Sequence, residues 1–424
     1  MGEIPLLAPW LQAVARAFAE VPVYAVGGAV RNTLMNLPVS DVDLCGPARP
    51  DTVMNLCKGT EIEPRLRAAH FGTVELHIGG HMAEYTTFRQ DSYRGGHQPF
   101  AVRFADTVEA DAMRRDFSVN ALYTPLNDLG TVIDPTGGLP CLRERVLHTV
   151  TDDPDQVLKD DGLRILRAAR FQAELGFTLT DAVLLSARKY ASLLDEIAAE
   201  RKRDELTRLL MADTKYPTLQ RTAPPVSAGL RTLVRVGAWE RLFYDLAPID
   251  FSIMDHTAAL GVGAKLALLY CYGTPAALLA RMTALRYAKR EALAAAGALA
   301  AMQGIENNSA LSDVLRFGLA AVHTAKGMLA ARAAADPKDW EALANAERIL
   351  KQITERNLPE SLRGLAVGGR ELLGLCRETG APRERIGSVL AALWKEAVDG
   401  QVPNTPSALR SRARKLLIDS PGDE

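Results

Sequence analysis

Residues 23–44 read VYAVGGAVRNTLMNLPVSDVDL, and this stretch limits the fold more than any other part of the chain. The apolar run at 23–26 predicts a buried strand. It ends in Gly27-Gly28, and the helix-like AVRNTLMNL follows at once, so the chain turns sharply from strand to helix. A second short strand then carries Asp41 and Asp43. Side chains alternate faces along a strand, so the two carboxylates point the same way while Val42 turns into the core. Two hard oxygen ligands near a glycine turn suit a magnesium–triphosphate complex. Arg31, in the first turn of the helix, adds a guanidinium that can hold a triphosphate together with backbone N–H groups. The chemistry suggested is nucleotidyl transfer.

Further constellations extend this reading. Glu84, in the strand-like MAEYTTFR, is a third carboxylate that either joins a metal site or is solvated. RRDFSVNALY (114–123) places Asp116 and Asn120 four apart on a predicted helix, hence on one face. An acceptor and an amide there could grip ribose hydroxyls; the plainer alternative is that Asp116 caps the helix. DPTGGLPCLRERVLHTV (134–150) predicts a turn and hinge, with permissive backbone angles at Gly137-Gly138. In DDGLRILRAARF (160–171), Asp161 and Arg164 fall at i, i+3 of a predicted helix. Most such pairs are surface salt bridges worth about 0.3 kcal/mol. In a nucleotide site, however, arginine only donates and aspartate only accepts, which matches an edge with an exocyclic amine beside a ring acceptor. Cytosine and adenine present that edge. Uracil and guanine present the reverse and would leave buried groups unpaired.

At 424 residues the chain predicts more than one domain. Its formal net charge of −1 does not advertise a nucleic-acid partner, so any RNA contact must come from local basic patches such as 201–203 and 410–415. The five cysteines are scattered with no CxxC pair, which argues against zinc and against a disulfide framework. The first residues read as an amphipathic helix rather than a signal peptide, and no apolar run is long enough for a bilayer; a cytoplasmic protein without membrane contact is expected. Strand signals at 23–26, 42–44, 73–78, 82–88 and 132–133 give way from about residue 153 to nearly continuous helix. The expected class is α+β, with helical modules after a mixed head. His256 and His323 stand alone, so no second, hydrolytic site is expected.

In this order the motifs resemble the class II tRNA nucleotidyltransferases, the bacterial CCA-adding enzymes and their poly(A) polymerase relatives. GGAVRN…DVD resembles the catalytic motif, RRDFSVNAL the ribose motif, DPTGGLPCL the head–neck spring, DDGLRILRAARF the base template and ERKRDELTRLL the last neck motif. The likeness spans about residues 20–215, and the C-terminal stretch resembles the tRNA-binding tail. It implies a polymerase β-like nucleotidyltransferase head with a small mixed sheet (1–148), then an all-α neck (149–215), body (216–347) and tail (348–424). It also implies Asp41 and Asp43 as catalytic ligands of Mg2+, and Gly27, Gly28 and Arg31 on the triphosphate. Arg114, Arg115, Asp116 and Asn120 would recognise the ribose; Asp161, Arg164 and Arg167 would read the base. The implied activity is addition of C, C and A to tRNA 3′ ends from CTP and ATP. The alternatives are a poly(A) polymerase, a partial CC- or A-adding enzyme or, from another class, an inactive RNA-binding module. Three departures stand out: Asn32 where the family has aspartate, Asp160 where it has glutamate, and His97-Gln98-Pro99 in the flexible loop at 90–104.

Overall fold

The computed structural model describes residues 8–92 and 101–418, which divide into two compact units, Met1–Tyr244 and Asp245–Glu424. The first unit opens with helix α1 (Pro9–Ala17), whose Trp10, Leu11, Ala13 and Val14 are buried. Six strands build one sheet: β1 (Tyr24–Val26), β2 (Asp43–Gly46), β3 (Glu63–Ala68), β4 (Thr73–Ile78), β5 (His81–Thr87) and, later in the chain, Tyr123–Pro125. Their order is β3-β4-β5-β2-β1 followed by Tyr123–Pro125. Only β2 and β5 run parallel, so the sheet is mixed. Period-2 burial of Val74, Leu76 and Ile78, with Ala83 and Tyr85 from β5, forms a core that α1 covers. Helix α2 (Gly28–Leu34) follows β1 through Gly27, whose φ is +71°.

Four of the five expected strands are present within a few residues. The exception is 132–133, where Ile133 makes a single bridge to Tyr123 and no strand forms. A separate hairpin pairs Arg89–Ser92 with Ala101–Phe104. The segment His97-Gln98-Pro99 lies outside the described residues.

Two short helices, α3 (Pro50–Leu56) and α4 (Val108–Ala112), lie among the strands, and helices dominate after them: α5 (Gly138–Glu144), α6 (Pro154–Asp160), α7 (Leu163–Leu175), α8 (Asp181–Lys189), α9 (Ala199–Leu210), α10 (Ala212–Lys215) and α11 (Pro225–Arg235). Helix α7 is buried nearly all round, packed by α9 and α11. It ends at Gly176 in the left-handed region, a usual helix stop. The second unit is helical throughout its described residues, and its last three helices close a small core around Leu372, Leu393 and Leu409. No helix of the described residues is long and apolar enough to cross a membrane.

Candidate active site

The glycine turn, the start of β2 and helices α7, α9 and α10 line one cavity of about 460 Å³. Every site residue anticipated from the sequence lines it except Glu84. Nine cationic side chains face five carboxylates there, an excess that suits a polyphosphate.

Arg31 is only 4 % exposed. Its Nε and Nη2 donate to Asn32 Oδ1 at 3.2 and 2.9 Å, its Nη1 donates to Asn120 Oδ1, and its guanidinium lies 5.3 Å from the centre of the Phe171 ring. Burial lowers its pKa, and among the described residues it has no carboxylate partner within salt-bridge distance. Asp43 opens β2 and pairs with Val26 on one side and Glu84 on the other. The strand does not carry both carboxylates as expected: Asp41 lies just before it, where Ser40 Oγ donates to it at 3.0 Å, and Val42 between them is buried. Burial pushes the Asp43 carboxyl up, Arg115 opposes this, and Asp41 adds to it. Burial, with Asp43 and Glu75, also raises Glu84, which sits one strand over and away from the cavity. Among the described residues no group of three His, Cys, Asp or Glu side chains is assembled for a metal.

The ribose motif differs from its expected form. Residues 116–120 do not form an α-helix: Phe117 is extended and a single 3-10 turn spans Ser118–Asn120. The two polar residues still meet, because Asp116 Oδ1 accepts from Phe117 N at 2.7 Å and from Asn120 Nδ2 at 3.2 Å. Arg114 and Arg115 line the cavity, but both are tied to Asp111 of α4, at 2.8 and 2.9 Å. Tyr123 donates its hydroxyl to the same carboxylate at 2.9 Å. Burial would raise Asp111, but Arg115 and Arg114 outweigh it and hold the group at about 2. The sequence reading passed over Asp111, although its i, i+3 and i, i+4 spacing to the two arginines was the available signal.

The base-template motif is also not one helix. The chain breaks at Asp161, which is extended (φ −146°, ψ 106°), and α7 begins two residues later. Asp161 Oδ1 accepts from Leu163 N at 3.0 Å, while Oδ2 accepts from Arg201 Nη2 at 2.7 Å. Arg164 donates instead to the carbonyls of Val157 and Arg114, at 2.8 and 2.5 Å. The pair is therefore no surface salt bridge; each member is held separately at the cavity wall. Arg167 spans from α7 to Asp116 (2.6 Å) and toward Glu205 of α9 (3.4 Å), and Arg170 joins Glu205 and Glu174. Burial would raise Asp116, but Arg167 and Arg164 keep it well below the usual carboxylate range. Arg170, Glu174, Arg201, Arg208, Lys215 and Tyr216 line the cavity without having been anticipated as site residues. Asp160 lies outside it, bonded to Gln156 at 2.6 Å.

Residues 23–148 match the family described as the poly A polymerase head domain, and residues 176–221 match the probable RNA and SrmB- binding site of polymerase A. Over 421 residues the chain is 31 % identical to the CCA-adding enzyme of Levilactobacillus brevis, covering 96 % of each sequence. The chain belongs to the CCA-adding enzyme family. The CCA-adding enzyme of Geobacillus stearothermophilus is 30 % identical over 394 residues, with 90 % of both sequences covered. Among solved structures, a Bacillus stearothermophilus CCA-adding enzyme in complex with CTP superposes with a TM-score of 0.71 at 25 % identity, covering 97 % of this chain and 98 % of that one.

Proposed function

We propose that this CCA-adding enzyme family member adds C, C and A to tRNA 3′ ends from CTP and ATP, with protein side chains in place of a nucleic-acid template. The observation that carries this is the single cation-rich cavity in which the catalytic, ribose and base residues of the sequence motifs converge. The terminal 3′-hydroxyl loses its proton and bonds to the α-phosphorus, and the bond to the departing pyrophosphate breaks.

The family works with a divalent ion, and two outward carboxylates with no histidine or cysteine beside them fit a hard cation such as Mg2+. Asp41 and Asp43 would hold it, and substrate phosphate would complete its shell. Bound there, the ion supplies positive charge for the attacking hydroxyl and the leaving group. Arg31, with Gly27 and Gly28 leaving room at backbone level, holds the triphosphate. Asp116 and Asn120 accept from and donate to the ribose. The carbonyls of Val157 and Arg114 take two of the five N–H groups of Arg164, fixing its fork and leaving others for a base ring nitrogen. Asp161 offers the acceptor for an exocyclic amine. Arg114 and Arg115 contribute charge and fix the wall rather than gripping the sugar. A cytoplasmic location fits these substrates.

The test uses tRNA transcripts ending before CCA, at C and at CC, each given single nucleotides with Mg2+. Three additions followed by arrest support the reading. Long A tails point to a poly(A) polymerase, and a stop after CC points to a partial enzyme. Asp43→Asn should lower incorporation on the order of 10³-fold; absence of incorporation by the unaltered chain would leave the inactive RNA-binding alternative.

A further inference from the structure

Asn32 uses all four hydrogen-bonding positions of its amide. Its Oδ1 receives Arg31 Nε and Nη2 at 3.2 and 2.9 Å, and its Nδ2 donates to Pro38 O at 2.8 Å and to the Tyr216 hydroxyl at 2.9 Å. The amide cannot turn over. Arginine has no acceptor to offer Nδ2, and the Pro38 carbonyl has no donor to offer Oδ1. Tyr216 therefore accepts from Asn32. The Arg31 guanidinium also reaches this hydroxyl, and it too can only donate. The hydroxyl oxygen thus faces donors while its proton has no acceptor among the described residues. Tyr216 is 4 % exposed, lines the nucleotide cavity and stands one amide away from Arg31. A buried O–H donor without a partner is costly, and a ligand acceptor removes the cost.

We infer that the Tyr216 hydroxyl is a donor to a phosphate oxygen of the bound nucleoside triphosphate, and that Asn32 makes it one by setting the direction of the hydrogen bond between them. A carboxylate at position 32 would reverse that bond: it could only accept, so the phenol would spend its proton on the protein. It would also face the Pro38 carbonyl across 2.8 Å, in the segment leading to Asp41. The acceptor is a phosphate rather than a base because the amide that holds Tyr216 also holds Arg31, whereas the base-reading pair Asp161 and Arg164 is anchored by other groups.

The inference rests on the nucleotide-site reading above, and the test separates the two. CTP, inorganic triphosphate and cytidine are titrated calorimetrically into the full chain without tRNA. If the unaltered protein binds no CTP, the nucleotide-site reading itself fails. If it binds, Tyr216→Phe, checked for an unchanged thermal transition, should weaken CTP and inorganic triphosphate about tenfold and leave cytidine unchanged. CTP affinity within twofold of the parent, or an equal loss for cytidine, overturns the inference. A second comparison does not depend on that variant alone. In Asn32→Asp the hydroxyl turns to the new carboxylate, so adding Tyr216→Phe should change CTP affinity less than twofold; a further tenfold loss overturns the reversed-bond argument.

Discussion

At the scale of single residues, the cavity wall is held by ion pairs in which the expected Asp116 and Asp161 are joined by acids that were not expected, Asp111, Glu174 and Glu205. Asp111 is fully buried beneath Arg114 and Arg115 and pairs with both, its one negative charge offsetting one of their two positive ones. Removing one partner of such a cluster leaves the others charged and uncompensated, a loss of about 3–5 kcal/mol. Asp111→Asn is expected to lower stability by that amount in urea titration and to raise the KM for both nucleotides as the arginines shift. The pH dependence has a definite sign. The folded pKa of Asp111, about 2, is below its ordinary value of 3.8, so its contribution is present above about pH 4 and lost as the pH falls toward 2. That contribution is about 2 kcal/mol. Acid titration of the unaltered chain should show this loss, and in Asp111→Asn that part of the stability curve should flatten.

At the scale of elements, the short turns fix the chemistry more than the long helices do. Gly137 and Gly138 were expected to serve together through permissive angles, but they have separate tasks. Gly137 sits at φ +74° with open space around it, whereas a Cβ on Gly138 would come 2.3 Å from the Ser118 carbonyl. That close approach seats α5 against the 3-10 turn that carries Asn120. Gly138→Ala should therefore cost about 1–3 kcal/mol and raise the KM for CTP, because the turn must move and Asn120 moves with it. Gly137→Ala should cost about 1–2 kcal/mol in the melt and leave KM unchanged. The same elements show what a sequence can convey. Alternation at 73–78 and 82–88 is local, so those strands were legible. Strand β3 is a largely exposed edge without alternation, and Tyr123–Pro125 is defined by its pairing with β1, so neither left a local signal. Asp161 and Asn120 line the cavity although their backbone was expected to be helical, because residue type survives a wrong local geometry. Arg201 and Glu205 were missed as site residues because the residues they pair with, Asp161 and Arg170, lie 40 and 35 residues away in the chain.

At the scale of the whole molecule, a chain of net charge −1 must bind two polyanions, and it does so by segregating its charge. All the residues lining the nucleotide cavity come from the first unit, between Gly27 and Tyr216. The second unit contributes none of them, and some of its C-terminal cations are internally matched: Arg412 with Glu396 at 2.6 Å and Arg414 with Glu378 at 2.5 Å. Arg410 and Lys415 remain exposed on the last helix, Pro406–Ile418. A tail of this kind suits RNA held by its phosphates, whose binding weakens steeply with salt. Ending the chain after Tyr244 should thus separate the two functions. Calorimetry should give a CTP affinity within about threefold of the full chain, since every wall of the cavity is retained and ligand binding adds to the stability of what remains. Filter binding across a salt series should show tRNA affinity reduced at least about tenfold, with a shallower dependence on salt because fewer phosphates are neutralised. Equal tRNA affinity and equal slope in the shortened chain would mean that the first unit alone carries the RNA, and that the basic last helix is a solvated surface.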